Sequence, residues 1–355
     1  MAAAPVQMQI ERAVRADSDT APQGGQAIVH LRSAVFVSAV VSALTALGAP
    51  SPASADTTPL RVTMFSGPQD LAVFVALEER LYAQRGLAVE VSLTPNSQAL
   101  RDGLVDGSFD IASSGVDNAV YVADTGKADV VIVAGGDDSM NQLMVRPEIH
   151  AYADLRGKTM LVDAPNTAYA FQLYKMLELN GVKRGDYTVV PKGGTPQRLA
   201  ALREDKTNAG SMLNLPWNIA AEKDGFHSLG TAVEALGPYQ GTGIWVKRDW
   251  AAAHADTLVK YLQSTIEGLR WARESSSRTA AATILARHLK IEQNLAIATV
   301  ERALAPGSGL AVDAKLDLEA FRNTLKLRAE MEGGPPQPAE KYLDLSYYER
   351  ALKGL

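Results

Sequence analysis

DGSFDIASSGVDNAV, residues 106–120, places a short strand-like run directly before a helix-like run, with three small residues between them. The apolar positions predict a strand over 109–113 and a helix over 116–126. Small side chains at this junction leave the backbone N–H groups uncovered. The junction is therefore either a plain turn or a place where another molecule approaches the backbone.

Strands and amphipathic helices alternate on both sides of this stretch. The predicted strands of this first series are 60–66, 87–94, 109–113 and 129–136, and its helices are 70–86, 97–107 and 116–126. DVVIVAGG (129–136) is a continuous apolar run, which is typical of a strand buried on both faces of a parallel sheet. This βαβα order predicts a parallel α/β layer with right-handed crossovers.

A second series with the same order follows the segment MNQLMVRPEI (140–149). Its predicted strands are 159–162, 186–194 and 241–250, and its helices are 166–181 and 195–208. Thr195 is expected to cap the second of these helices, with Pro196 at the first helical position. Long helical segments then continue to the C-terminus.

The composition excludes several classes of function. With 355 residues, 46% of them hydrophobic, the chain is long enough for two domains. The net charge of −5 argues against a nucleic-acid-binding surface. Cysteine is absent, which excludes disulfides, thiolate metal sites and cysteine nucleophiles. The five histidines have no metal-ligand spacing, so neither a metal nor another cofactor is expected.

The N-terminal segment has the layout of a secretory signal peptide. His30 and Arg32 precede an uncharged apolar stretch over 34–47, and Ala53-Ser54-Ala55 forms an A-x-A cleavage site. We expect residues 1–55 to be an extension and signal peptide that is cleaved after Ala55. The apolar stretch is shorter than the roughly 20 residues of a membrane span, so an uncleaved anchor is the weaker alternative. Without cysteine there is no site for a lipid anchor.

Three junctions between a strand and a helix consist of small or polar residues. They are Ser66-Gly67-Pro68, Ser113-Ser114-Gly115 and Asn166-Thr167. In open α/β sheets, ligands bind at such junctions because free N–H groups and the helix dipole point there. These loops are therefore candidate ligand-binding loops. The alternative is that Ser113, Ser114 and Asn166 only cap the helices that follow them.

Four segments together resemble a known family. They are LRVTMFSGPQDL (60–71), DGSFDIASSG (106–115), DLRGKTMLVDAPN (154–166) and RLAALREDKTNAGSMLNLPW (198–217). Their order resembles the periplasmic solute-binding proteins of ABC importers in the nitrate/sulfonate/taurine group, which includes relatives that bind the thiamine pyrimidine precursor. The resemblance covers roughly residues 60–355.

This resemblance implies an α/β fold of the two-lobed periplasmic binding protein type (type II), with two parallel-type sheets flanked by helices. It places lobe 1 at 56–145 plus 241–355 and lobe 2 at 146–240, joined by crossings near 145–147 and 241–243. It also places Asn214 and Trp217 on the lobe 2 wall of the cleft. With the residues in and beside the loops, the candidate ligand-binding residues are Ser66, Gly67, Ser113, Ser114, Asp117, Asn141, Asn166, Thr167, Asn214 and Trp217. Trp217 is equally compatible with packing. Asp137 and Asp138 are candidates to accept a hydrogen bond from a donor group of the ligand, and the alternative is that they belong to a solvated turn.

The expected function is that of a monomeric periplasmic protein that traps a small organic solute and delivers it to a membrane permease, without catalysis. The candidate loops contain no Arg or Lys, so an organic solute with donor groups is expected rather than nitrate. Phe65, Tyr169 and Trp217 are candidates for stacking on an aromatic ring. One alternative is an enzyme resembling those that make the thiamine pyrimidine, although these rely on a cysteine-rich segment that this chain lacks. A second alternative is a sensory binding protein that serves a receptor.

Overall fold

The computed structural model describes residues 57–307 and 309–355. The predicted signal peptide and its cleavage after Ala55 lie outside this range. Within it, every helix is too short or too polar to cross a membrane.

The described strands and helices follow the predicted alternation. The strands are β1 (Thr58–Met64), β2 (Leu87–Leu93), β3 (Ile111–Gly115), β4 (Val130–Gly135), β5 (Gln142–Val145), β6 (Thr159–Val162), β7 (Thr188–Pro191), β8 (Asn208–Leu213), β9 (His227–Thr231) and β10 (Thr242–Lys247). The helices are α1 (Leu71–Glu78), α2 (Leu81–Gln84), α3 (Ser97–Val105), α4 (Val116–Asp124), α5 (Ala168–Leu179), α6 (Thr195–Glu204), α7 (Trp217–Lys223), α8 (Ala232–Leu236), α9 (Arg248–Ala253), α10 (Ala255–Arg273), α11 (Arg278–Leu289), α12 (Gln293–Ala303), α13 (Leu318–Glu332) and α14 (Ser346–Lys353).

The strands form two five-stranded sheets. Sheet 1 has the order β2-β1-β3-β10-β4, and sheet 2 has the order β7-β6-β8-β5-β9. We call the parts built on these sheets lobe 1 and lobe 2. The two-sheet α/β fold expected from the sequence is confirmed, but each sheet is mixed rather than parallel. β10 runs antiparallel to β3 and β4, and β5 runs antiparallel to β8 and β9, because the chain enters each of these strands from the other sheet.

Some local predictions differ from the structure. β4 is fully buried as expected, but it pairs with antiparallel β10, while Leu343 bridges Ile132 on its other side. β5, β8 and β9 were not predicted as strands, because these runs of four to six residues show no regular alternation of apolar and polar residues. The helix predicted to be capped by Thr195 begins at Thr195, and Gly194 occupies the cap position.

The chain passes between the sheets at two segments. β5 already belongs to sheet 2, three residues before the predicted boundary at residue 145. The return crossing precedes β10, which begins at Thr242 in sheet 1. We propose that the crossings are residues 136–141 and 237–241. Asp137 joins them through its backbone oxygen, which accepts hydrogen bonds from Gly241 N (2.8 Å) and Gln240 Nε2 (3.2 Å). Its carboxylate accepts from Ser139 N (2.7 Å) and from Thr242 Oγ1 (2.6 Å) at the start of β10.

A helical layer covers sheet 1 on the side of α1 and α10. Phe74 and Val75 of α1 are buried with Leu262 and Ile266 of α10 in one apolar cluster. Each such side chain contributes about 1.5–3 kcal/mol on full burial. Gly268 allows the close approach of the two helices, because a Cβ there would collide with the carbonyl oxygen of Ala72.

Candidate functional site

A cavity of about 50 Å³ lies between loops at corresponding edges of the two sheets. Lobe 1 contributes residues that follow β1, β2 and β3, and lobe 2 contributes residues that follow β6, β7 and β8. Thr242 joins the wall because antiparallel β10 begins beside Gly115 at the carboxyl end of β3. The lining residues are Phe65, Ser66, Gln69, Ser97, Ser114, Gly115, Asn118, Asp163, Thr167, Ala168, Tyr169, Gly194, Thr195, Arg198, Asn214 and Thr242.

Three helices begin at this cavity without a side-chain cap. α4, α5 and α6 start at Val116, Ala168 and Thr195, and in the described residues no cap side chain accepts a hydrogen bond from their first N–H groups. The N–H of Val116 donates to the backbone oxygen of Gly241 (3.1 Å). The first N–H groups of a helix have no partner within the helix and carry partial positive charge. Three converging N-termini therefore favour an anionic group in the cavity.

Three amide side chains lie on the cavity wall: Gln69 and Asn118 from lobe 1, and Asn214 from lobe 2. They are 9%, 5% and 5% exposed. None of their amide oxygens has a hydrogen-bond partner among the described residues. A buried polar atom without a partner costs about 1–3 kcal/mol, so the wall is suited to a molecule that supplies hydrogen bonds.

Arg198 is the buried cation of this site. Its guanidinium donates to Ser211 Oγ, Thr195 Oγ1 and the backbone oxygens of Gly193 and Met212, at 2.6–3.0 Å. Burial lowers the pKa of this guanidinium, and the nearby Asp163 carboxylate opposes that shift. It forms no salt bridge among the described residues, but Asp163 lines the same cavity, so this carboxylate partly offsets the positive charge there.

Arg198 was missed in the sequence because it lies one turn inside α6 rather than in the preceding loop. Its position three residues after Thr195 could have indicated it, since side chains of a helix lean toward its N-terminus. Asn118 was missed for the same reason, whereas Gln69 lies directly after the candidate loop 66–68 and before α1. We expected no basic residue in the site because only the loops were considered, and Arg198 lies in a helix instead.

Four of the predicted residues line the cavity: Ser66, Ser114, Thr167 and Asn214. Ser114 accepts a hydrogen bond from Trp245 Nε1 at 2.9 Å, which fixes its side chain on the cavity side of sheet 1. The structure therefore brings together residues from all three predicted loops and from the segment after β8.

Six predicted residues do not line the cavity: Gly67, Ser113, Asp117, Asn141, Asn166 and Trp217. Ser113 alternates with Ser114 along β3 and donates from its hydroxyl to Asp70 (3.3 Å) on the other face. Asp117 forms a buried ion pair with Arg328 (2.6 Å).

The remaining predicted residues belong to the surroundings of the cavity. The Asn141 side chain donates to Gln172 (2.7 Å) and Ser139 (3.1 Å), beside the first crossing. Asn166 is half-buried. Trp217 Nε1 donates to the backbone oxygen of Ser66 (3.2 Å), and so joins the lobes at the cavity rim.

Asp137 and Asp138 also lie outside the cavity wall. Burial raises the pKa of Asp137 to about 6, against the opposing effect of its hydrogen bonds from Thr242 and Ser139. Asp138 accepts a hydrogen bond from Gly309 N (3.0 Å), and burial raises its pKa as well. Through these hydrogen bonds, both carboxylates fix the first crossing to the residues around it.

Solved structures with a similar fold include three of particular interest. The periplasmic nitrate-binding protein NrtA from Synechocystis PCC 6803 is 14% identical with a TM-score of 0.71, over 84% of this chain and 89% of that one. The alkanesulfonate-binding protein SsuA from Xanthomonas axonopodis pv. citri, bound to MOPS, is 19% identical with a TM-score of 0.65, over 79% and 96%. The desulfurization enzyme DSZB is 14% identical with a TM-score of 0.60, over 83% and 99%.

At these identities the similarity establishes the fold alone. A search of curated proteins found no match. The family model described as "NMT1/THI5 like" matches residues 68–278, which is more than half of the chain and includes all of the lining residues except Phe65 and Ser66. The chain belongs to the NMT1/THI5-like family.

Proposed function

We propose that this protein is the extracytoplasmic solute-binding component of an ABC importer, and that it traps a small organic solute with an anionic head group between its lobes. The cavity carries this proposal. Both lobes contribute to its wall, and the wall combines unpartnered amides with a buried guanidinium.

The charge of the cavity selects the head group. Arg198 and the N-termini of α4, α5 and α6 stabilise a negative charge, and backbone N–H groups and the guanidinium supply its donors. A sulfonate or carboxylate satisfies these requirements.

The amides orient the rest of the solute. Gln69 and Asn118 approach it from lobe 1 and Asn214 from lobe 2, so a solute that bonds all three bridges the lobes. Phe65 and Tyr169 supply apolar surface beside them. These features favour an organic acid with its own hydrogen-bonding groups over a bare inorganic anion.

The solute would act by stabilising the closed arrangement of the lobes. It shifts the equilibrium toward closure only by its preference for the closed form. The closed pair of lobes is then the surface that a membrane permease recognises, and the predicted signal peptide is consistent with a periplasmic monomer that meets such a permease. The protein releases the solute without altering it chemically.

Thermal unfolding in the presence of a solute panel tests the proposal. The panel contains alkanesulfonates, taurine, aliphatic and aromatic carboxylates, nitrate and thiamine pyrimidines. A solute at 100 times its dissociation constant adds about 2.7 kcal/mol of stability. We expect stabilisation by one class of organic anion and recovery of that solute unchanged. Conversion of the solute would instead favour an enzyme, and no stabilisation by any anion would refute the proposed ligand.

A further inference from the structure

Direct contacts between the lobes surround the cavity, and one of them involves a carboxylate. Asp163 directly follows β6 of lobe 2 and is 8% exposed. Its carboxylate accepts the backbone N–H of Ser97 from lobe 1, at 3.1 Å and 3.4 Å for its two oxygens. Ser97 is the first residue of α3.

This contact has the character of a helix cap that is supplied by the opposite lobe. Asn96 caps α3 from within lobe 1, since its Oδ1 accepts the N–H of Ala99 (2.8 Å). The N–H of Ser97 remains free within the helix and donates to Asp163. The carboxylate thus meets a charge-assisted hydrogen bond and the positive end of the helix dipole together.

Two neighbouring contacts hold the same edges together. Gly194 N donates to the backbone oxygen of Pro95 (2.8 Å), and Trp217 Nε1 donates to that of Ser66 (3.2 Å). Gly193 has φ = +83°, and a Cβ there would lie 2.9 Å from the Pro95 oxygen, so this loop approaches lobe 1 closely only as glycine.

We propose that Asp163 is a latch residue, which holds the cleft closed by binding the N-terminus of α3 across it. The bonded atoms all belong to the protein, so the latch acts whether or not a solute is bound. It raises the population of the closed form, and thereby the apparent affinity for a solute that binds this form. Release of the solute then requires that the bond between Asp163 and Ser97 breaks.

Two substitutions remove opposite ends of this bond. Asp163→Ala removes the acceptor. Ser97→Pro removes the N–H at the first helical position, where proline is favoured, and the extended backbone of Asn96 (φ −164°, ψ 167°) is compatible with a following proline. Asp163→Asn keeps the side-chain shape and one acceptor oxygen but loses the charge.

The distance between the lobes is the quantity to measure. The chain contains no cysteine, so Ala88→Cys in lobe 1 and Lys183→Cys in lobe 2, both exposed, provide the two sites for spin labels. Pulsed electron–electron double resonance measures the distance between the two labels, on protein that has been unfolded, dialysed and refolded to remove any solute. Glu204→Ala, which removes an exposed negative charge from lobe 2, is the control.

We expect one predominant short distance in the parent protein and in Glu204→Ala. In Asp163→Ala and in Ser97→Pro the ratio of closed to open protein should fall about tenfold, with a smaller fall in Asp163→Asn. The double variant should lose no more than either single one, because both remove the same bond. A long distance in the parent protein, or parent-like distances in a folded Asp163→Ala or Ser97→Pro, would overturn the latch. Neither result depends on the solute, so the proposed function would remain to be judged by the panel.

Discussion

The Asp137 carboxylate, which links the first crossing to the start of β10, should make the stability of the protein depend on pH. Asp137 is 5% exposed, and its pKa rises from the ordinary 3.8 to about 6 through burial. Below pH 3.8 the group is protonated in both the folded and the unfolded protein. Between pH 3.8 and about 6 only the folded protein keeps the proton, so the contribution of Asp137 to the free energy of unfolding falls as the pH rises through this window.

The size of this effect follows from the pKa difference. One pKa unit corresponds to about 1.4 kcal/mol, so the difference between 3.8 and about 6 corresponds to about 3 kcal/mol. Asp137→Asn removes the titration and preserves the geometry. The amide oxygen can accept from Ser139 N, and the amide nitrogen can donate to Thr242 Oγ1.

Urea unfolding of both proteins from pH 4 to pH 7.5 measures the effect. The stability of Asp137→Asn relative to the parent protein should rise by about 2–2.5 kcal/mol across this range, because part of the difference is already present at pH 4. Asp256→Asn serves as the control, because the Asp256 side chain is 87% exposed and should show little change. A difference in stability between Asp137→Asn and the parent protein that stays constant with pH would show that folding does not raise the pKa of Asp137.

Three further substitutions separate binding from folding. Asn214→Ala should weaken solute binding by about 1–3 kcal/mol in titration calorimetry, because a solute group loses its partner in a buried site; unchanged affinity would remove Asn214 from the site. Arg328→Ala leaves Asp117 buried and unpaired, so urea unfolding should show a loss of about 3–5 kcal/mol, and an undiminished midpoint would contradict that structural role. Gly268→Ala should cost about 1–3 kcal/mol by forcing α1 and α10 apart, whereas an equally stable variant would show that the helices yield freely.

The alternation of strands and helices could be predicted from the sequence because its signals are local and repeated, whereas the arrangement in two lobes was implied by the family resemblance. The strand over 159–162 matches β6, and the run 129–136 contains β4, since continuous apolar stretches are distinctive. The reversed directions of β5 and β10 could not be read in this way. Direction depends on which sheet the chain comes from, and no local pattern encodes it.

The candidate site could be predicted only in part for a related reason. Ser66, Ser114 and Thr167 lie where strands end, and the alternation of strand and helix locates these ends. Arg198 and Gln69 reach the cavity from inside helical segments, where the sequence pattern of a helix does not show which residue faces the other lobe. Asp117 shows the converse. Its position just after the candidate loop 113–115 indicated a ligand contact, but its charge is neutralised by Arg328, 211 residues later in the chain.

Whether a solute is bridged between the lobes can be tested by calorimetry. The solute that stabilises the protein most is titrated into the parent protein, Asn118→Ala and Asn214→Ala. These two residues stand on opposite walls of the cavity. A solute held between the lobes should bind the parent protein at one site and bind each variant about tenfold more weakly. If either variant binds as tightly as the parent protein, the solute is not bridged between the walls, which contradicts the proposal that it is held between the lobes.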